Sequence, residues 1–224
     1  MPLKQRNIAA VLFDLDGTLV DSAPDLAAAA DQMRLARALP SLPLQAYRAH
    51  CGSGARGMLK VAFEIEPEHT DFEPLREEFF VNYTQCLTAR TRLFEGVVPL
   101  VQQLAACGLT WGVVTNKSER FALPLLATMP VFTSASTVVC GDTTPHTKPH
   151  PAPLLEAARR IGVAPAQCVY VGDDLRDILA GKAAGMATVA AHYGYLGPQA
   201  QVDQWGADLG IESPLGLVEH LPSA

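Results

Sequence analysis

Short valine-rich runs recur along this chain, and most are separated by stretches of helical periodicity that end at a glycine. The runs are 8–13 (IAAVLF), 110–114 (TWGVV), 137–140 (TVVC), 168–171 (CVYV) and 187–191 (ATVAA). Strands with one wet face alternate apolar and polar residues. These runs do not alternate, so they read as strands covered on both faces, as in a parallel sheet. The helical stretches 97–107, 152–161 and 174–184 stop at Gly108, Gly162 and Gly185, where a helix terminus favours glycine. Strand, helix and strand in repetition predict an α/β fold built on a doubly wound parallel sheet.

Residues 22–90 break this rhythm. Ser22 with Asp25 reads as the capped start of a long helix running to about Leu39. A second helix is expected from about Arg56 to Glu64, and a third from Pro74 to about Leu87. In the third, Leu75, Phe79, Tyr83 and Leu87 share one face, and Phe79, Phe80 and Tyr83 read as internal packing. No strand pattern occurs there. The expected organisation is an α/β core of residues 1–20 and 91–224, with a smaller all-helical cap domain, 21–90, inserted after the first strand.

Bulk properties narrow the function. The 224 residues, 49% apolar and 18% charged, suit a globular chain with a real core. A net charge of −6 argues against nucleic acid or an anionic membrane as partner, because both demand a basic footprint. The five cysteines, Cys51, Cys86, Cys107, Cys140 and Cys168, are scattered without C-x-x-C spacing, so they read as core residues of a reducing compartment. The N-terminal stretch lacks the apolar core of a signal peptide, and no window holds 18 uninterrupted apolar residues. A cytoplasmic protein, monomer or homodimer, is the expectation.

The run 8–13 leads directly into two acids, Asp14 and Asp16, with Gly17 behind them. At the carboxyl end of a parallel strand they occupy the edge where open α/β sheets bind ligands. Two carboxylates so close repel unless a cation lies between them, and a hard divalent ion, Mg²⁺, fits an all-oxygen set best. Other strand ends carry matching groups. Thr115 and Asn116 follow TWGVV, and Asp173 and Asp174 follow CVYVG. Asp177 lies one helical turn beyond Asp173, and Lys148 sits in the loop before the helix at 152. Together they would hold a metal and a phosphate. His146, His150 and His192 have no metal-ligand spacing and read as loop or capping residues.

FDLDGTLVD at 13–21, VVTN at 113–116, Lys148 in TKPHP and VGDDLRD at 171–177 resemble the haloacid dehalogenase superfamily of phosphatases. The D-x-D-G-T core of the first motif arises by chance in roughly 0.3% of chains of this length, so it carries most of the weight. The resemblance covers nearly the whole chain. It implies that Asp14 is a nucleophile forming an aspartyl-phosphate and that Asp16 is the general acid and base. It places Mg²⁺ on the Asp14 carboxylate, the Asp16 backbone carbonyl and the Asp173 carboxylate. It assigns the phosphoryl oxygens to Thr115, Asn116, Lys148 and the backbone amides of Leu15 and Asp16. Asp177 would steady Lys148, and Asp174 would either reach the metal through water or support its loop.

The resemblance also implies a small phosphate ester as substrate. Asp16 argues against the dehalogenases, which lack it. A sugar phosphomutase of the same superfamily and a non-catalytic phosphate-binding relative are the alternatives. Within the superfamily, FDLDGTLVDSAPDLAAA and TKPHPAPLLEAA are similar to the phosphoglycolate phosphatases. GARGML and WGVVTNKSERFALPLL are similar to the N-acetylmuramic acid 6-phosphate phosphatases. Both substrates join a phosphate to a carboxylate. In the cap, HCGSGARGM (50–58) offers a glycine-rich contact with Ser53 and Gly54, and Arg56 supplies a bidentate grip for that carboxylate. The plain alternative is a glycine-rich turn.

Overall fold

The computed structural model describes residues 2–197 and 200–221. Six parallel strands form one sheet: β1 (Ala10–Phe13), β4 (Thr110–Val114), β5 (Val138–Val139), β6 (Cys168–Gly172), β7 (Ala187–Ala191) and β8 (Leu209–Ile211). Their order across the sheet is β5-β4-β1-β6-β7-β8. A short antiparallel ribbon, β2 (Val20–Asp21) with β3 (Arg92–Leu93), stands apart. Every residue of β1 is buried, as an interior strand paired on both sides requires.

The two faces of β1 feed different layers. Val11 and Phe13 pack into a cluster with α5 (Val97–Ala106) and α6 (Glu119–Ala127). Ala10 and Leu12, on the opposite face, pack with α7 (Ala152–Ile161) and α8 (Leu175–Ala183). Each large apolar side chain so buried stabilises the fold by about 1.5–3 kcal/mol. α7 ends where Gly162 turns left-handed, as its sequence position predicts.

Between β2 and β3 the chain makes four helices: α1 (Ala23–Ala36), α2 (Leu44–Arg48), α3 (Gly54–Phe63) and α4 (Phe72–Cys86). Their buried faces join the same cluster as Val11 and Phe13. Two sequence readings need correction here. α1 stops at Ala36 rather than Leu39, with Ala38 turning left-handed before Pro40. Ser22 and Asp25 do not form a local cap. The Asp25 carboxylate accepts from the Arg90 and Thr91 amides at 2.8–3.0 Å and from the Thr91 hydroxyl at 2.7 Å. Asp25 therefore ties the segment entering the helical insertion to the segment leaving it. Ser22 turns instead to the Asp16 carboxylate.

Several elements lie outside the sequence reading. α6 contains Pro124, which hides its helical pattern. β8 is a three-residue edge strand, and beyond it Leu217 is fully buried in the turn Pro214–His220, which packs against α5. All five cysteines are free thiols. Among the described residues, no helix is long and apolar enough to cross a membrane.

Candidate active site

Asp14 follows the last residue of β1, and its amide still bonds the Val171 carbonyl of β6 at 2.9 Å. The ladder thus carries the acid to the carboxyl rim of the sheet. Asp173 leaves the end of β6 next door, and Asp177 rises from the first turn of α8. Asp14, Asp173 and Asp177 are all buried and bring carboxylate oxygens within 4.8 Å of one another. Lys148 reaches in from the loop before α7. Its Nζ donates to Asp14 Oδ1 at 2.6 Å, Asp177 Oδ1 at 2.7 Å, the Tyr170 hydroxyl at 2.8 Å and the Val114 carbonyl at 3.1 Å.

The turn after β1 is shaped for this crowding. Gly17 adopts φ +91°, and a Cβ there would strike the Asp173 carboxylate. Thr18 Oγ1 donates to Asp173 Oδ1 at 2.9 Å and the Tyr195 amide to Oδ2 at 2.8 Å, which fixes that carboxylate.

Burial pushes the Asp14 carboxyl up, Lys148 opposes that rise, and Asp177 and Asp16 add to it. Asp173 is likewise raised by burial and by the charges of Asp14 and Asp177. Burial alone would lower the Lys148 ammonium, but its two acid partners override this and raise it. Three buried carboxylates thus share one lysine, and the pocket is short of positive charge. An all-oxygen donor set in that state fits a hard divalent cation such as Mg²⁺.

Asp16 has separate partners. Lys117 Nζ donates to its two oxygens at 3.0 and 3.2 Å, and the Ser22 hydroxyl donates to Oδ1. Burial would lower the Lys117 ammonium, yet Asp16 holds it above its ordinary value. In the sequence Lys117, directly after Thr115 and Asn116 at the end of β4, is the near rival of Lys148 for the site lysine, and no role beside Asp16 is read for it. Thr115 lies at the rim, where its Oγ1 accepts from the Lys117 amide at 3.1 Å.

Asn116, expected on the phosphoryl oxygens, lines the cavity and bonds the Lys148 backbone. Its carbonyl oxygen accepts from the Lys148 amide at 2.9 Å, and its Nδ2 donates to the Lys148 carbonyl at 3.0 Å. The side chain clamps the lysine loop. Asp174 lies outside the carboxylate cluster. It caps α8 through the Arg176 amide at 2.9 Å, pairs with the Arg176 side chain, and shares a reciprocal cap with Asp177. Of the two roles open to Asp174, loop support matches this placement. His150 accepts from the Ala152 amide at the start of α7, and His192 pairs with Glu212.

A cavity of about 410 Å³ opens above these groups. Its floor is Asp14, Asp16, Thr115, Lys148 and Asp173, and its roof comes from the helical insertion, including Ser53, Gly54 and Arg56. Arg76 and Arg176 also line it, and both carry acid partners, although the buried Arg76 Nε makes no hydrogen bond. Arg76 pairs with Glu73 and Glu77, while Arg176 pairs with Asp174 and donates to the Gly52 carbonyl at 2.6 Å. Arg56 is exposed and, among the described residues, makes no ion pair or hydrogen bond. Its nearest acid partner, Glu66, is taken by Lys60.

An open parallel sheet with a cluster of buried carboxylates and a paired lysine at its carboxyl rim matches a class of α/β hydrolytic enzymes. A family model described as haloacid dehalogenase-like hydrolase matches residues 11–191. The chain belongs to that family, as the motifs implied. It is 39% identical over 222 residues to an N-acetylmuramic acid 6-phosphate phosphatase of Pseudomonas aeruginosa, covering 99% of this chain and 98% of the other. It is 46% identical over 213 residues to a phosphoglycolate phosphatase of Xanthomonas campestris pv. campestris, covering 94% and 95%. A crystal structure described as a predicted phosphoglycolate phosphatase from Haemophilus somnus superposes with TM-score 0.83 at 29% identity, covering 96% of this chain and 98% of that one.

Proposed function

We propose that this chain is a magnesium-dependent phosphomonoester hydrolase that works through an aspartyl-phosphate. Its substrate would be a small carboxylated ester of the N-acetylmuramate 6-phosphate or 2-phosphoglycolate type. The observation that carries the proposal is the convergence of Asp14, Asp173 and Asp177 within 4.8 Å around the Lys148 ammonium. The names of the relatives supply the two candidate substrates.

In this reading an Asp14 oxygen attacks phosphorus, and the bond to the ester oxygen breaks as Asp16 delivers a proton to the departing alcohol. Asp16, now a carboxylate, takes a proton from the water that attacks the aspartyl-phosphate. That step releases phosphate and restores Asp14. Asp14, Asp173 and the Asp16 backbone carbonyl would hold magnesium, which when bound would neutralise charge on the phosphoryl oxygens. Lys148 adds a fixed positive charge on the same side, and Asp177 and Asn116 keep it there. The Thr115 hydroxyl and the amides of Leu15 and Asp16 donate to the phosphoryl group. The helical insertion, residues 21–90, acts as a cap that excludes water, and its unpaired Arg56 takes the substrate carboxylate.

Phosphate release from phenyl phosphate tests this. Turnover should require Mg²⁺, stop with EDTA and vanish in Asp14→Asn. Activity that ignores EDTA, or that survives Asp14→Asn, refutes the proposal.

A further inference from the structure

Tyr83, on α4, is 2% exposed, yet its hydroxyl makes no well-formed hydrogen bond, although the Lys117 ammonium lies close to it. Buried hydroxyls nearly always find one. This residue lines the cavity, and the charged groups near its hydroxyl include Lys117 and Asp16. Its ring is held firmly. Phe79 stacks on it at 5.9 Å and 9°, Phe121 of the core lies 5.3 Å away, and the Lys117 ammonium sits 4.9 Å from its centroid. Lys117 is the same ammonium that holds Asp16. A rigid hydroxyl without a well-formed hydrogen bond therefore stands near the acid that would protonate a leaving oxygen. The sequence reading took Tyr83 for packing alone; the packing is real, and the hydroxyl is what it leaves unexplained.

Building on the phosphatase reading, we infer that Tyr83, with the aromatic wall around it, forms the leaving-group subsite. Its hydroxyl pairs with a hydroxyl or amide oxygen of a sugar-sized alcohol. A two-carbon acid is too small to cover the faces of Phe79, Phe80 and Tyr83, which line the cavity. A sugar ring lays its C–H face on the aromatics and presents polar atoms at its rim. A cavity of about 410 Å³ falls within the roughly 300–1,000 Å³ range of pockets that enclose ligands of that size.

Tyr83→Phe removes a single atom and tests the inference. Kinetics would be measured with Mg²⁺ on N-acetylmuramate 6-phosphate, 2-phosphoglycolate and phenyl phosphate, beside the melting temperature. The ratio of kcat/KM for the sugar ester over phenyl phosphate should fall about tenfold or more, since only the sugar offers the hydroxyl a partner. The melting temperature of the free protein should hold or rise, because the lost hydroxyl made no well-formed hydrogen bond. Equal losses on both esters, or a lower melting temperature, would mean that Tyr83 only packs. A wild type that prefers 2-phosphoglycolate to the sugar ester overturns the assignment of leaving-group size. A wild type that hydrolyses none of the three fails earlier, at the phosphatase reading itself.

Discussion

Lys117 holds both oxygens of the Asp16 carboxylate, at 3.0 and 3.2 Å. Asp14 has its own lysine, Lys148, at 2.6 Å. The two acids of the D-x-D motif, two residues apart, are thus drawn to different cations that lie 31 residues apart in the chain (148 − 117). In the proposed mechanism this separation would divide the labour, with Asp14 at the phosphoryl group and Asp16 on the leaving-group side.

Lys117→Met should therefore lower kcat more than it raises KM. The methionine fills the space and keeps contact with the Tyr83 ring, but Asp16 retains only the Ser22 hydroxyl as a tether. A charge-assisted pair of this kind is worth about 1.5–3 kcal/mol, or roughly 10–100-fold in kcat if all of it positions the acid. Steady-state kinetics on phenyl phosphate measure the split. An unchanged kcat would show that Ser22 alone sets the acid.

Asn116→Ala should loosen the loop that delivers Lys148. Two hydrogen bonds to the Lys148 backbone disappear, at 2.9 and 3.0 Å, which costs about 1–3 kcal/mol of stability in total. The ammonium then wanders from Asp14, and kcat should fall about tenfold. Thermal melting and kcat together decide the matter. A lower melting temperature with full kcat would confine Asn116 to loop stability.

The rim groups were legible because parallel strands announce themselves as unbroken apolar runs, so the first polar residue after each run marks the rim. Asp14, Thr115 and Asp173 follow from that rule alone. What escaped was whatever depends on partners distant in sequence. Asp25 looks like a capping residue because its helix is adjacent, whereas its true partners, Arg90 and Thr91, lie 65 and 66 residues away. Lys117 reads only as a rival of Lys148 until its ammonium is seen on Asp16, 101 residues away. α6 is masked by Pro124, and β8 by its brevity and by Gly210 at its centre.

Asp173→Asn should stabilise the metal-free protein and abolish its response to Mg²⁺. The Asp173 carboxyl is raised above its ordinary 3.8 by burial first, then by Asp14 and Asp177, so ionising it opposes folding. Below about 3.8 it is protonated in folded and unfolded chains alike, and nothing is lost; as pH rises above that, the folded state loses stability. The asparagine keeps the geometry, because its oxygen can accept from the Tyr195 amide while its Nδ2 donates to Thr18 Oγ1. In EDTA, the gain in melting temperature over wild type should be larger at pH 8 than at pH 4.5. With added Mg²⁺, wild type should rise at pH 8 and the variant should not. A variant less stable than wild type in EDTA at pH 8 would show that the three carboxylates do not strain one another.

Arg56→Ala should separate carboxylated from uncharged leaving groups. Arg76 and Arg176 line the same cavity but already hold acids, whereas Arg56, among the described residues, makes no ion pair or hydrogen bond. Two parallel N–H···O bonds to a carboxylate are strong in a dry site, but Arg56 is exposed, and water screens much of the gain. About 1 kcal/mol is a reasonable share, or roughly fivefold in KM. KM for N-acetylmuramate 6-phosphate or 2-phosphoglycolate should rise by that factor, while KM for phenyl phosphate changes much less and kcat holds for both. Equal shifts on both kinds of ester would place the arginine on the phosphate instead and remove the carboxylate from the substrate description.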